Sequence, residues 1–353
     1  MSKIAVICNY ELLPERVGGM DYFFWDFDKK CKENGFEVDW FFPNQSNHGE
    51  YSNLTIYECQ TENNFLSFCK LKTEYSHIIT HFIELCTPFF YKVKQLTDAK
   101  VITVDHNPRP LYGYPFKKRI NKRLKGILFS RYIDVFVAVS ESTKKELVKE
   151  FGLHLRYKTE IISNGLDFTK YTKKQIFSTS NKFIVVSHLR KEKGIQDLIL
   201  AVNEMEERNS LDFSFDIYGK GYYKEELEEM IEKFSLQKFF NFKGSVSNLN
   251  QIYSHYDFLV HPSHGETFCY VVLESLICNL PVVTTLKEGN VLGLIKENEN
   301  GFLFQATKTD QLKRILENIL NQKYILDNNS DINDNLHAFS LSQMVDNYFK
   351  LII

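Results

Sequence analysis

The chain reads as an α/β protein made of two doubly wound domains. Short apolar runs alternate with segments of helical apolar spacing, as parallel βαβ units require. That rhythm stops at a polar stretch, Thr169–Lys182, and then starts again. The length, 353 residues, suits two domains of about 100–200 residues each.

The elements follow in order. Ile4–Cys8 is an expected strand, and a loop with Gly18-Gly19 leads into an amphipathic helix from about Met20 to Asn34, stopped by Gly35. Phe36–Phe42, His77–His81, Val101–Val104 and Val135–Val139 are further strands. Ser140 and the acidic and basic residues after it read as a capped helix start. Beyond the polar stretch, Phe183–Ser187, Phe213–Tyr218, Phe240–Lys243, Phe258–His261 and Pro281–Thr285 are strands. Between them run helices over Ile195–Glu206, Lys224–Phe234 and Tyr270–Cys278, and Leu341–Ile353 is a terminal amphipathic helix. Two such domains create a cleft, and open α/β sheets bind ligands beyond the carboxyl ends of their strands, so the cleft is the expected site.

Composition excludes several classes. With 43% hydrophobic and 25% charged residues the chain is neither disordered, collagenous nor a coiled coil. A net charge of −2 argues against a nucleic-acid binder. The seven cysteines form no C-x-x-C pair, which reads as reduced thiols in the cytoplasm. The first apolar run is too short for a signal peptide, and no stretch approaches the ~18 apolar residues of a membrane span. No zinc spacing, Walker loop or G-x-G-x-x-G is present.

The most informative stretch is His261-Pro-Ser-His-Gly-Glu266-Thr-Phe-Cys-Tyr-Val-Val-Leu-Glu274. A strand ends in a Pro/Ser/Gly loop that opens a helix, and a helix N-terminus suits a phosphate. Glu266 and Glu274 are eight residues apart, roughly 12 Å at helical rise. That is wider than the about 5–9.5 Å of a glycosidase pair and suits two contacts along one long ligand. The plain alternative is a solvated Glu266 and a Glu274 that serves local backbone.

This stretch resembles the E-x7-E signature of retaining GT-B glycosyltransferases of family 4. Other elements resemble that family in order along nearly the whole chain: Gly18-Gly19, Asn164-Gly165-Leu166-Asp167, Glu192-Lys193-Gly194, Tyr218-Gly219-Lys-Gly221, Phe242-Lys-Gly244 and Asn300-Gly301-Phe-Leu. The resemblance implies a GT-B fold of two Rossmann-like domains facing a central cleft. Residues 1–167 would bind the acceptor and 168–338 the nucleotide sugar, with a helix in 339–353 packing back on the first domain. It implies transfer with retention from a nucleotide-diphosphate sugar, UDP-sugar over GDP-sugar, without a metal. The acceptor would be a saccharide or lipid-linked saccharide of a cell-surface polysaccharide such as O-antigen, capsule or lipopolysaccharide. Glu266 would face the donor sugar and Glu274 the ribose, while Lys193 would stabilise the leaving diphosphate. Gly18, Gly19, Gly244, Val246, Thr267, Phe268, Cys269 and Tyr270 would complete the donor site.

The chain departs from the family in places. His188 stands where the family has an arginine, and Arg190 is the other candidate for a diphosphate contact. Cys269 and Asn279 replace usual glycines. In the first half, His106 follows a strand as the family's histidine does and is carried over as catalytic; Arg109 nearby would reach hydroxyls or phosphates. His81 reads as strand-end packing. Lys117, Lys118, Arg119, Lys122 and Arg123 interleave with apolar residues at helical spacing. This suits an interfacial helix on anionic lipid, a groove for a lipid-diphosphate acceptor, or a solvated helix face. Asp26-Phe27-Asp28 is a D-x-D within a helix and reads as a surface coincidence. Rival readings are a phosphorylase or nucleotide-sugar epimerase on the same scaffold, and a non-catalytic partner of a transferase.

Overall fold

The computed structural model describes residues 2–71, 74–110, 112–175, 181–206, 210–322 and 332–353. It divides into two units, Met1–Leu166 with Ala338–Ile353, and Asp167–His337. Residues 176–180 of the expected polar boundary lie outside the described residues.

The first unit runs β1 (Ser2–Cys8), α1 (Gly19–Glu33), β2 (Phe36–Phe42), β3 (Thr55–Glu58), α2 (Glu62–Leu71), β4 (Tyr75–His81), α3 (Pro88–Leu96), β5 (Lys100–Asp105), α4 (Phe116–Phe129), β6 (Val135–Ala138), α5 (Glu141–Phe151) and β7 (Thr159–Ile161). Its strands form one parallel sheet in the order β3-β2-β1-β4-β5-β6-β7. The central strands are buried along nearly their whole length, which is why Ile4–Cys8 and Val101–Val104 are continuous apolar runs. Ser140 caps α5, its Oγ accepting from the Thr143 N–H at 3.1 Å.

The second unit runs β8 (Lys182–Val186), α6 (Ile195–Asn203), β9 (Ser214–Tyr218), α7 (Lys224–Lys233), β10 (Phe240–Gly244), α8 (Leu249–Ile252), β11 (Phe258–His261), α9 (Tyr270–Ile277), β12 (Val282–Thr285), α10 (Glu288–Val291), β13 (Gly301–Phe304) and α11 (Thr309–Leu320). Its parallel sheet has the order β10-β9-β8-β11-β12-β13. Phe183, Phe213, Phe215, Phe239, Phe258 and Phe302 lie together in its core with Leu198 and Leu316.

The last helix, α12 (Leu341–Lys350), belongs to the first unit. It lies against α1, with Tyr348 and Phe23 ring centroids 4.7 Å apart. Leu166 anchors its start by backbone hydrogen bonds to Phe339 and Leu341, both 2.9 Å. The helix ends at Lys350 rather than running to Ile353, and the helix expected over Ile195–Glu206 ends at Asn203. The D-x-D is not a surface feature throughout: Asp28 is buried, accepting from Trp40 Nε1 at 2.9 Å and pairing with Lys32 at 2.7 Å. Among the described residues no helix is long and apolar enough to cross a membrane.

Candidate functional site

In the second sheet the strand order reverses between β8 and β11, and a ligand crevice is expected beyond their carboxyl ends. The loops leaving these two strands are tied together. The His264 N–H donates to the Glu192 carbonyl at 2.9 Å, and His264 Nε2 lies 2.7 Å from Asp197 Oδ2. Gly194 has φ +72°, and a Cβ there would sit 2.1 Å from the Pro262 carbonyl oxygen, so only glycine allows this approach. The result brings Lys193 Nζ to 2.5 Å from Glu266 Oε1.

Glu266 Oε1 is also the acceptor for Ser263 Oγ at 2.9 Å and faces His261 Nε2 at 3.4 Å. His261 is buried at the end of β11. Thr284 Oγ1 donates to the His261 carbonyl at 2.9 Å, so its remaining bond to His261 Nδ1, at 3.0 Å, must run from the ring N–H to the hydroxyl. Nε2 is thereby aimed at Glu266 and at Cys269 Sγ, 3.4 Å away. Burial works against charge on both side chains, and their neighbours outweigh it. Cys269 and Glu266 raise His261 to about 9, and the His261 hydrogen bond with the Lys193 charge lowers Glu266 to about 2.

These shifts set a pH dependence of stability. Glu266 is depressed below its unfolded value of about 4.3, so its contribution is complete above that pH and is lost as pH falls toward 2. His261 is raised above about 6.5, so its contribution is complete below that pH and is lost as pH rises through 9. Thermal melts across this range are expected to show both limbs in the wild type, and Glu266→Gln should shallow both. Limbs identical in the two proteins would contradict the coupling.

Glu274 sits in α9, half-buried, with Tyr253 Oη donating to Oε2 at 2.7 Å and Tyr171 Oη to Oε1 at 3.2 Å. Burial raises its pKa despite these two donors. At the start of α9 the Cys269 N–H donates to the Gly289 carbonyl at 3.1 Å. Gly289 in turn packs on the Glu266 backbone, since a Cβ would lie 1.8 Å from the Glu266 carbonyl oxygen. Phe268 is buried, and Thr267 and Tyr270 are half-buried beside it. His188 and Arg190 are exposed on the loop after β8. Gly244 ends β10 and bonds through its carbonyl to the Gly219 N–H at 2.9 Å, with Val246 half-buried in the following loop.

The remaining expected residues lie in the first unit. Gly18 and Gly19 open α1, with the Gly18 N–H donating to buried Asp21 at 2.9 Å. His106 Nε2 lies 3.1 Å from Nδ1 of buried His81, and its ring stacks on Phe82 at 4.2 Å. Burial lowers His106 to about 4, against the pull of Asp105, and lowers His81 as well. His106 is therefore neutral at pH 7 and suits a hydroxyl contact rather than phosphate, while His81 is buried behind it. Arg109 is not available as expected: it forms a close pair with buried Asp105, 2.6 Å, and with Glu150, 3.2 Å. Lys122 is likewise held by Glu150 at 2.9 Å, whereas Lys117, Lys118, Arg119 and Arg123 are exposed on α4.

Sequence reasoning missed Ser263, His261, Thr284, Tyr171, Tyr253 and Gly289 as parts of the site. Ser263 and His261 stood inside the quoted stretch. The others come from distant positions whose proximity only folding creates. Among the described residues no group of three or more His, Cys, Asp or Glu is placed to hold a metal ion.

Residues 167–335 match the family model described as glycosyl transferases group 1, and residues 17–170 match glycosyltransferase family 4. A UDP-N-acetylglucosamine–peptide N-acetylglucosaminyltransferase GtfA subunit of Streptococcus agalactiae is 27% identical over 207 residues, covering 57% of this chain and 40% of that protein. The chain thus spans well under two thirds of the curated relatives it matches first. Among solved structures, Anabaena Alr3699/HepE in complex with UDP-glucose superposes with a TM-score of 0.78 at 16% identity, covering 100% of this chain and 99% of that one. The lipopolysaccharide outer core galactosyltransferase WaaB in its apo form gives 0.74 at 15% identity, covering 99% of each. These likenesses show the fold.

Proposed function

The chain belongs to the glycosyltransferases that join a family 4 unit to a group 1 unit, and from that premise we propose that it transfers a sugar from a nucleotide-diphosphate sugar to an acceptor hydroxyl. The observation that carries this reading is the Lys193–Glu266 pair at the reversal point of the second sheet. Lys193 keeps further N–H donors beyond the one on Glu266 and takes the diphosphate. As the glycosidic bond breaks, negative charge grows on the diphosphate, so a fixed cation stabilises the transition state more than the ground state. Glu266 accepts from a donor-sugar hydroxyl, and Glu274, already aligned by Tyr171 and Tyr253, accepts from the ribose.

In this reading transfer proceeds with retention. The acceptor oxygen bonds to the anomeric carbon on the face the diphosphate leaves, and the diphosphate takes the acceptor proton. His106, neutral beside His81, serves as a hydroxyl contact in the first unit, which binds the acceptor. The donor is a UDP-sugar, in keeping with the UDP-glucose bound by the Anabaena structure and the donor named for the streptococcal relatives. The acceptor is a saccharide, free or lipid-linked, of a surface polysaccharide, as WaaB's name suggests. The streptococcal relatives favour a second reading, a peptide hydroxyl acceptor. We assign the enzyme to a reducing, cytoplasmic setting, which seven unpaired cysteines support.

A thermal-shift panel of UDP, GDP, ADP, TDP and CMP tests the donor. Only UDP is expected to raise the melting temperature; at 100-fold over its Kd the stabilisation is about 2.7 kcal/mol. A larger shift with GDP would overturn the UDP assignment, and no shift with any of them would overturn the donor site.

A further inference from the structure

α4 turns the wrong way for a helix of a soluble fold. Phe116, Ile120, Leu124, Ile127 and Leu128 are 72, 45, 52, 60 and 51% exposed. At about 100° per residue these five side chains fall within an arc of roughly 120°. The opposite side faces the protein. Gly126 is the buried residue of α4, and it lies so close to α5 that a Cβ would come 2.0 Å from the Phe151 carbonyl oxygen. Lys122, on the same side, is held by Glu150. The helix thus packs inward through Gly126, Lys122 and its last residue, Phe129, and sends its other large apolar groups outward.

The charges around the stripe have one sign. α4 carries six basic residues and no acidic one. Lys122 and Lys125 are neutralised by Glu150 and Glu84. Lys117, Lys118, Arg119 and Arg123 have no carboxylate within ion-pair distance among the described residues, and all four are exposed. Arg119 and Arg123 border the stripe on one side, Lys118 lies beyond its other border, and Lys117 stands within it. Tyr112, just ahead of the helix, is 89% exposed. Contiguous exposed apolar surface of this kind marks an interaction site.

We propose that α4 is a bilayer-docking helix that lies in the surface of an anionic membrane, with Phe116, Ile120, Leu124, Ile127 and Leu128 among the acyl chains and Lys117, Arg119 and Arg123 at the headgroups. The stripe is one convex helix face, so it offers a partner no groove to fill, whereas a bilayer accepts a single amphipathic helix lying in its plane. The long stems of Arg119 and Arg123 let their charges rise to the phosphates while their methylenes extend the apolar face. Anionic headgroups complement four cations that have no carboxylate partner among the described residues, each adding to affinity at low salt. This docking is independent of the proposed sugar transfer and would stand if that reading fell.

The test is co-sedimentation of the full chain with vesicles of phosphatidylcholine alone and with about a third phosphatidylglycerol added. The wild type is expected to pellet with the anionic vesicles, weakly with the neutral ones, and to be released at about 0.5 M salt. The double variants Ile120→Ser/Ile127→Ser and Lys117→Glu/Arg119→Glu should each lower the bound fraction at least tenfold, with melting temperatures unchanged because all four side chains are exposed. Absence of wild-type binding to anionic vesicles would overturn the proposal, as would binding that both variants retain. Light scattering that shows a dimer in the wild type and a monomer in Ile120→Ser/Ile127→Ser would assign the stripe to a second copy instead.

Discussion

Glu266→Gln is expected to lower kcat by roughly 10²–10³-fold, the range seen when a preorganised electrostatic contact is removed from an active site. The substitution keeps the shape of the side chain and its bond from Ser263. It removes the anion that Lys193 and His261 both face. Binding of the nucleotide should persist, because the lysine is freed rather than lost. Donor turnover with and without acceptor, set beside a UDP binding curve, measures both quantities. A kcat within a few fold of wild type with UDP still bound would remove Glu266 from the catalytic machinery.

Lys193→Ala is expected to act on binding and chemistry together. Losing one charge-assisted contact to the diphosphate should weaken UDP about tenfold, near 1.4 kcal/mol. The larger loss falls on kcat/KM, roughly 10²–10³-fold, since the charge it meets is greatest as the bond breaks. Lys193→Arg should recover part of the binding, because the charge returns, but less of kcat, because the guanidinium fork does not fit where an ammonium sits against Glu266. An unchanged UDP affinity in Lys193→Ala would remove the lysine from the donor site.

The two variants separate because the pair is an ion pair before any donor arrives. At 2.5 Å, with both side chains mostly buried, Lys193 and Glu266 hold each other in place. Ser263 and His261 fix the carboxylate from the other side, so the site is ordered without ligand. On the proposed function, donor binding would exchange part of the lysine's contact with Glu266 for diphosphate oxygens.

Much of the fold was legible because parallel strands buried on both faces leave apolar runs. Phe36–Phe42 and Phe258–His261 were read to the residue. β3 and β7 were not read, since Thr55–Glu58 is half-buried at one edge and Thr159–Ile161 has only three residues at the other. α11 was missed although Leu312, Ile315, Leu316 and Ile319 carry a clear helical spacing. The site's two loops were legible as motifs because each needs local features, a glycine in Glu192-Lys193-Gly194 and a Pro/Ser turn before Glu266. Their electrostatics were not. Thr284 orients His261 from 23 positions away, and Tyr171 reaches Glu274 across 103. Arg109 shows the converse: a cation beside a strand end suggested a ligand contact, but buried Asp105 and Glu150 claim it.

A crystal structure of the chain with a bound UDP-sugar tests the central claim most directly. The account predicts the diphosphate within hydrogen-bond reach of Lys193 Nζ, with Glu266 turned to a sugar hydroxyl and Glu274 on the ribose. Nucleotide bound elsewhere, with Lys193 and Glu266 still closed on each other, would contradict it.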